Sequence, residues 1–493
     1  MGQLQEASPR AGASGAGAAP SGDFYTYQIA NSCRFNRDSS AYLSRTVQAG
    51  GDLKKWTVSF WIKLTASAGF GSNQYHVLTA LDNAIGSYDT IMFDVNAASQ
   101  LYFQAGHKYF TGAHSIRDSG AWYHVVIIYD SANSTAAYRK RVWFNNIEDT
   151  GSDVETLPIN TDSQINDNSV HYIGARQDAS ASYFIDGYFA DFIFVDAQAY
   201  APTYFGEEKN GVWIPKDYNT DTGEYGTTGY HLTFSDSSAL GDDTSGNSND
   251  WSTNGLTATD QMGDTPTFDG TSQGGNFPTI GGLEKDTGGF TFSEGNLKYA
   301  VSTNNRGFIF SQGVPETGKY YWELYATQYG GSEDQLFVGV CQPDKMRGNL
   351  TAGRGGGEVS GAGGYTFDQY NGAAWLDGVK QSNDSIGYKR ASPQLFGFAI
   401  DRDNNTLKWT YDGSSYSSTY TIPSSGPLYP YIGSGGGTTI ASKADLNTYV
   451  LSIHASNPYI KVDTSYNSSN MTNAEVTTLV NDWCTNRDGN YKY

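Results

Sequence analysis

The stretch Trp56-Thr57-Val58-Ser59-Phe60-Trp61-Ile62-Lys63 alternates with a period of two. Side chains two apart share one face of a strand, so Trp56, Val58, Phe60 and Ile62 fall on one side. Trp61 falls on the other, which implies that this side is covered as well. Working outward, Ile91-Met92-Phe93-Asp94-Val95 and Leu101-Tyr102-Phe103-Gln104 read as further strands. Trp122-Tyr123-His124-Val125-Val126-Ile127-Ile128-Tyr129 is apolar almost throughout, as a strand in the centre of a sandwich is. Arg141-Val142-Trp143-Phe144, then Asn145-Asn146, then Ile147-Glu148 reads as a hairpin. Asn tolerates positive φ, which a type I′ turn requires at both central positions. Many short strands between turn clusters predict a sandwich or jelly roll.

Composition agrees. The 493 residues allow two or three domains. Gly (58) and Tyr (36) are abundant against 5 Met, which suits half-buried strands and tight turns. A net charge of −20 repels phosphate backbones and anionic lipid, so neither nucleic-acid binding nor membrane insertion is expected. Cys33, Cys341 and Cys484 are far apart and odd in number, so no disulfide framework or zinc site is indicated. Residues 1–22 are rich in Ala, Gly and Ser and read as a flexible N-terminal anchor, without the features of a signal peptide or a myristoylation site. No apolar run approaches the roughly 18 residues of a membrane helix.

Residues 23–207 resemble a laminin-G-like, concanavalin A-like jelly roll. The resemblance is carried by WTVSFWIK at 56–63, GAWYHVVIIYD at 120–130, RVWFNNIE at 141–148 and HYIGARQDASASYFIDGYFADFIFVDAQAYAPTYFGE at 171–207. The last segment, with its Asp186-Gly187-Tyr188 turn, resembles a form found in head and tail appendage proteins of phages. Residues 208–280 are expected to be a structured connector, because a bare linker would not need Leu232, Phe234 and Trp251. Lys319–Tyr325, Leu336–Val340, Leu395–Asp401, Thr406–Gly413 and Leu428–Ile432 resemble the strands of a SPRY domain, placed at 281–445. The glycine-rich piece from Arg354 to Gly364 lacks a following helix and a Lys-Ser/Thr pair, so it is read as a loop and not a phosphate cradle. In 446–493, a cap at Thr472 or Asn473 precedes Val476, Leu479, Val480 and Trp483 at helical spacing. The expected class is all-β: two antiparallel sandwiches, jelly roll then SPRY-like, with a short C-terminal helix.

No catalytic constellation is legible. A glucanase of this fold sets three carboxylates on one strand face, with Glu-x-Asp followed by a second Glu. Glu284-Lys285-Asp286 lacks that second Glu and lies outside the first module. There is no HExxH and no GxSxG, and His124 sits inside an apolar strand, where it reads as a satisfied core or edge residue and not as a ligand. Metal ligation is left open. Calcium prefers oxygen ligands, which Asp82, Asp94, Asp186 and the Asp242–Asp250 loop could supply, but none of these matches an EF-hand.

The resemblance implies a bacteriophage virion protein assembled in the host cytoplasm. Its expected role is an exposed fibre or appendage subunit that contacts other virion proteins through the N-terminal segment and binds a host surface glycan or protein. It is expected to be a homo-oligomer, with a trimer favoured. A capsid decoration or head-fibre role is the alternative, and a glycan depolymerase a remote one.

Overall fold

The alternating stretch lies inside a ten-residue strand, Lys55–Leu64, that is buried on both faces. The computed structural model describes residues 24–435 and 451–453, apart from 49–50, 66–73, 83–86, 95–99, 117, 154–155, 177–182, 222, 268–274, 286–289, 294, 302–305, 327–334, 352–355, 369–371, 384–393 and 411–416. The first module contains β1 (Ser32–Phe35), β2 (Tyr42–Thr46), β3 (Lys55–Leu64), β4 (Gln74–Asp82), β5 (Ser87–Asp94), β6 (Gln100–Ala105), β7 (Lys108–Ser115), β8 (Tyr123–Asp130), β9 (Lys140–Phe144), β10 (Ile147–Glu148), β11 (Ser152–Asp153), β12 (Val170–Ile173), β13 (Gly187–Asp196), β14 (Gly206–Lys209), β15 (Val212–Pro215), β16 (Tyr230–Leu232), β17 (Ser252–Asn254) and β18 (Gln261–Met262). Sheet A runs β10-β9-β8-β3-β13-β1-β18, with β16 also on β13, and sheet B runs β11-β7-β6-β5-β4-β12-β2-β17.

The core between the sheets takes Trp56, Val58, Phe60 and Ile62 from β3 and Val125, Ile127 and Tyr129 from β8. Burying side chains of this size stabilises by roughly 1.5–3 kcal/mol each. Trp61 points the other way, against Trp122, Tyr188 and Ala190. A second outer cluster joins Val126, Ile128, Ile193 and Val195 to Phe205, Tyr218 and Tyr225. Sheet A is therefore covered on both sides, which explains why β13 is buried along its whole length.

β13 switches its inward parity from odd to even positions at a bulge. Its register with β3 shifts between Ala190 and Ile193, so the extra residue falls at Asp191–Phe192. Asp191 adopts φ +50, and Phe192 and Phe194 return to the core beside Phe189. The Asp191 carboxylate, 4% exposed, is satisfied by Nε2 of His231 at 2.6 Å and the Tyr27 hydroxyl at 3.0 Å. The β9–β10 hairpin forms as expected, with φ of +46 and +66 at Asn145 and Asn146.

The stretch read as a connector supplies β16, β17 and β18 to the two sheets, so the first sandwich extends to Met262 and does not stop near residue 207. Leu232, Phe234 and Trp251 are buried in its core. Beyond it, Lys63 is fully buried and donates from Nζ to Asp264 Oδ2 (2.8 Å), Asn276 Oδ1 (3.0 Å) and the Phe277 carbonyl (2.6 Å). Asp264 Oδ1 accepts from Trp122 Nε1 at 2.9 Å, so the buried charges are paired and hydrogen-bonded. At the other end, residues 24–31 lie on the outer side of sheet A. Thr26 donates to Glu207 of β14, and the Ile29 N–H donates to Thr267.

The second module contains β19 (Ile280–Lys285), β20 (Phe290–Ser293), β21 (Lys298–Val301), β22 (Arg306–Phe310), β23 (Lys319–Ala326), β24 (Gln335–Cys341), β25 (Gly364–Asp368), β26 (Ala373–Leu376), β27 (Val379–Asn383), β28 (Gln394–Asp401), β29 (Thr406–Thr410), β30 (Tyr420–Thr421), β31 (Tyr429–Gly435) and β32 (Leu451–Ile453). They form two antiparallel seven-stranded sheets, β19-β22-β31-β24-β25-β26-β27 and β20-β21-β32-β23-β28-β29-β30. Trp322, Phe398, Trp409, Val338 and Ile432 lie in the core between them. β32, from the segment assigned to the C-terminus, sits between β21 and β23 and so belongs to this sandwich. The expected helix after Thr472 lies outside the described residues.

The modules touch. Leu297 packs into the Trp61–Trp122–Tyr188 cluster, the Tyr188 hydroxyl donates to the Gly295 carbonyl (2.8 Å), and Gln312 donates to the Gly120 carbonyl (3.1 Å). Among the described residues, no helix is long and apolar enough to cross a membrane.

Candidate functional site

Sheet B differs from sheet A in its outer face. Its inner face gives Leu43, Val77, Leu78, Ala80, Ile91, Phe93, Leu101 and Phe103 to the core. Its outer face carries hydrogen-bonding side chains in register. Tyr172 stands opposite Thr79, Thr79 opposite Thr90, Thr90 opposite Gln104, and Gln104 opposite Tyr109. Ser44 and Ser252 continue this row beyond Tyr172. A parallel row runs His76, Met92, Tyr102. These rows are nonetheless largely closed to solvent: His76, Thr79, Thr90 and Gln104 are at most 5% exposed, and Met92 and Tyr172 are buried as well.

At its centre, His76 Nδ1 lies 2.8 Å from the Thr90 hydroxyl, which lies 2.9 Å from the Thr79 hydroxyl. Thr90 also bonds the Leu78 carbonyl at 3.2 Å. Burial, with the nearby Arg176 charge adding to it, pushes the His76 imidazole down to about 3, so the ring is neutral in ordinary buffers. Arg176 lies over the rings of Tyr88 (4.8 Å) and Tyr183 (3.9 Å) and donates to the Tyr88 hydroxyl at 2.7 Å. Both rings stand edge-on to His76. His76 Nε2 and Gln104 Oε1 are buried without a hydrogen-bond partner among the described residues.

The sequence does not mark this face, because the period breaks there. Val77 is the extra residue of a bulge between His76 and Leu78, so Val77 and Leu78 both point inward and the alternation of β4 is hidden. In β5 and β6 the alternation is visible, at Thr90 and Met92 and at Tyr102 and Gln104.

The candidate calcium ligands do not converge. Asp94 stands opposite Gln74 at one end of the β4–β5 hairpin, and Asp82 stands opposite Ser87 at the other. Asp186 is buried before β13, and burial raises its carboxyl to about 7, with the Asp38 charge contributing. In the Asp242–Asp250 loop, Asp243 is taken up by the chain itself. It accepts from the N–H groups of His231, Ser245 and Asn249 and from the Ser245 hydroxyl. Asp242 and Asp250 line a surface hollow with Trp251, Ser252 and Thr253. Among the described residues, no three His, Cys, Asp or Glu side chains group so as to hold a metal ion.

A serine–histidine pair does occur, and its polarity is wrong for a nucleophile. The Ser59 hydroxyl lies 2.8 Å from Nε2 of His124. Trp213 Nε1–H donates to His124 Nδ1 at 2.9 Å, so the proton of the neutral ring sits on Nε2 and faces the serine. Burial pushes this imidazole down to about 3. A general base needs its free lone pair toward the hydroxyl. Here that lone pair is used by the tryptophan, and His124 is a satisfied, buried residue.

In the second module, residues 352–355 of the glycine-rich piece lie outside the described residues. Its remainder is fixed by Asp377, whose carboxylate accepts from the Gly363 N–H at 2.6 Å. Glu284 lies in β19 of this module, and Asp286 lies outside the described residues.

Family models match two parts of the chain. One, the concanavalin A-like lectin/glucanases superfamily, matches residues 36–199. The other, the SPRY domain, matches residues 319–446. The chain thus carries a concanavalin A-like domain followed by a SPRY domain, both built as antiparallel sandwiches. No curated protein matches its sequence. Among solved structures it is similar to the SPRY domain of human HERC1, at 14% identity over 34% of this chain and 89% of that one, with a TM-score of 0.24. It is also similar to the native heptameric SAP-like pentraxin from Limulus polyphemus, at 16% identity over 39% of this chain and 94% of that one, with a TM-score of 0.28.

Proposed function

We propose that this chain is a non-catalytic recognition subunit on the outside of a bacteriophage virion, a fibre or appendage protein that binds a glycan or protein of the host surface. One observation carries the reading: a concanavalin A-like sandwich and a SPRY sandwich, both folds suited to recognition, are joined in one chain. The Ser59–His124 pair is turned the wrong way for a nucleophile. The resemblance of residues 171–207 to phage appendage proteins supplies the virion part of the proposal. Assembly in the host cytoplasm and a homotrimer complete it, since copies side by side give weak sites avidity.

The test is immunogold electron microscopy of intact particles with antibody against residues 281–440, paired with an adsorption assay using free protein as competitor. Gold on the particle and slowed adsorption are expected. Gold over the head without any effect on adsorption favours the decoration or head-fibre role. Unlabelled particles, with good antibody binding to the free protein, would sink the virion assignment.

A further inference from the structure

The two margins of the first sandwich differ in charge. β10 and β11 end the two sheets on one side, and β18 and β17 end them on the other. With strands about 4.8 Å apart, the margins stand roughly 30 Å from each other, so both can be occupied at once. Residues 136–147, which lead into and form the β9–β10 hairpin, hold Arg139, Lys140 and Arg141 and no carboxylate. Arg139 donates to the carbonyls of Leu157 (2.7 Å) and Asn133 (2.8 Å), which satisfies its hydrogen bonds without cancelling its charge. Arg141 pairs with Glu148 at 2.7 Å and lies over the rings of Tyr138 (5.2 Å) and Trp143 (4.4 Å). Lys140 donates to the Tyr109 carbonyl at 3.2 Å, which brings β7 alongside. Four of the five large apolar side chains that stand exposed among the described residues lie on this margin: Tyr109, Tyr138, Ile147 and Ile159. Gathered so, they form a patch rather than a scatter.

The opposite margin is acidic. Residues 217–280, which supply β16, β17 and β18, hold ten carboxylates and no Lys or Arg. Asp236, Asp242 and Asp250 are exposed there. The last two open on the surface hollow that Trp251, Ser252 and Thr253 also line.

We propose that these margins are the two halves of one contact: copies of this chain associate side by side, the basic, aromatic margin of one against the acidic hollow of the next. The proposal rests on the homo-oligomer in the reading above and names its interface. A whole-chain charge of −20 repels like copies, so association needs a local match of opposite sign. Each margin repels itself, which excludes two-fold pairing of equal patches and leaves the head-to-tail mode, closed into a ring or continued as a row. Tyrosine and arginine at the centre of the basic margin are side chains that interfaces favour.

The experiment is sedimentation velocity of the full-length protein over a dilution series. Wild type is compared with Tyr138→Ser, Arg141→Glu, Asp242→Arg, and Arg141→Glu combined with Asp242→Arg. Wild type is expected to sediment as an oligomer, and each single variant to weaken association about tenfold or more with its melting temperature unchanged. The combined variant is expected to recover association, because its two reversed margins match again. Tyr138→Ser and Asp242→Arg alter exposed side chains, so they test the contact even where Arg141→Glu unfolds the protein. A monomer at every concentration would overturn the proposal. So would an oligomer that no single variant weakens, which places the contact elsewhere, or a combined variant no better than the single ones, which denies the pairing of opposite margins. Particle labelling reads the virion assignment separately, so failure here leaves that reading standing.

Discussion

Single buried groups set how stability responds to pH. Burial holds His76 and His124 near 3 and His171 near 4, against an ordinary value of 6.5. The unfolded chain takes up these protons near 6.5 and the folded chain does not, so stability is whole above that pH and is lost as pH falls toward 3–4. Each histidine contributes a slope approaching about 1.4 kcal/mol per pH unit within that window. Urea midpoints measured from pH 8 to pH 4 should fall steadily below pH 6. Asp186 acts in the opposite direction. Its folded value of about 7 lies above the ordinary 3.8, so its cost grows as pH rises between the two and is complete above pH 7. Asp186→Asn is expected to raise stability at pH 8, by up to a few kcal/mol, and to change it little at pH 4. Urea titrations of the variant at the two pH values check this. A gain at pH 4 equal to that at pH 8 would show that the carboxylate charge is not the cause.

Among the elements, the β9–β10 hairpin offers a direct test of local backbone preference. Asn145 and Asn146 hold positive φ, which costs other L-residues about 1–2 kcal/mol each. Asn145→Ala with Asn146→Ala should lower stability by roughly 2–4 kcal/mol in all, while Asn146→Gly should be neutral or better, both read from denaturant midpoints. This hairpin was legible because its signal is local. So were β3, whose period runs unbroken through Trp56–Lys63, and β8, whose apolar run is nearly continuous. Two kinds of element were not. Bulges hid the parity of β4 and β13, because one extra residue inverts every side chain after it. The two- and three-residue strands β18 and β17 are too short to show a period, and long-range pairing alone defines them, whereas β16 is legible as a strand in Tyr230-His231-Leu232-Thr233-Phe234. The candidate site was obscured for the first of these reasons. His76 and Thr79, three apart in sequence, share a face only because Val77 is the extra residue of the bulge.

For the whole molecule, the contact between the sandwiches predicts shared unfolding. Gly295 has φ +63, and a Cβ there would strike the Tyr188 ring and hydroxyl. Gly295→Val should break that contact, split a single calorimetric transition into two, and lower the earlier one by several degrees, at about 2–4 °C per kcal/mol for a module of this size. A single, unshifted transition in the variant would mean that the modules are not coupled through this turn. The sequence placed two sandwiches in the right order, but their docking depends on residues such as Gly120, Gly295 and Leu297 that carry no local pattern.

The layering also gives the first sandwich a back and a front. Residues 24–31, the 200–225 segment and the second module all crowd the outer side of sheet A. Sheet B, about 10 Å further on, turns its polar rows the other way. Any mooring that pulls through the chain before Phe24 therefore acts on the crowded side and leaves the opposite side looking outward. Heading is built into the fold: copies fixed side by side by that end would present a continuous field of sheet B faces without a hinge or a rearrangement.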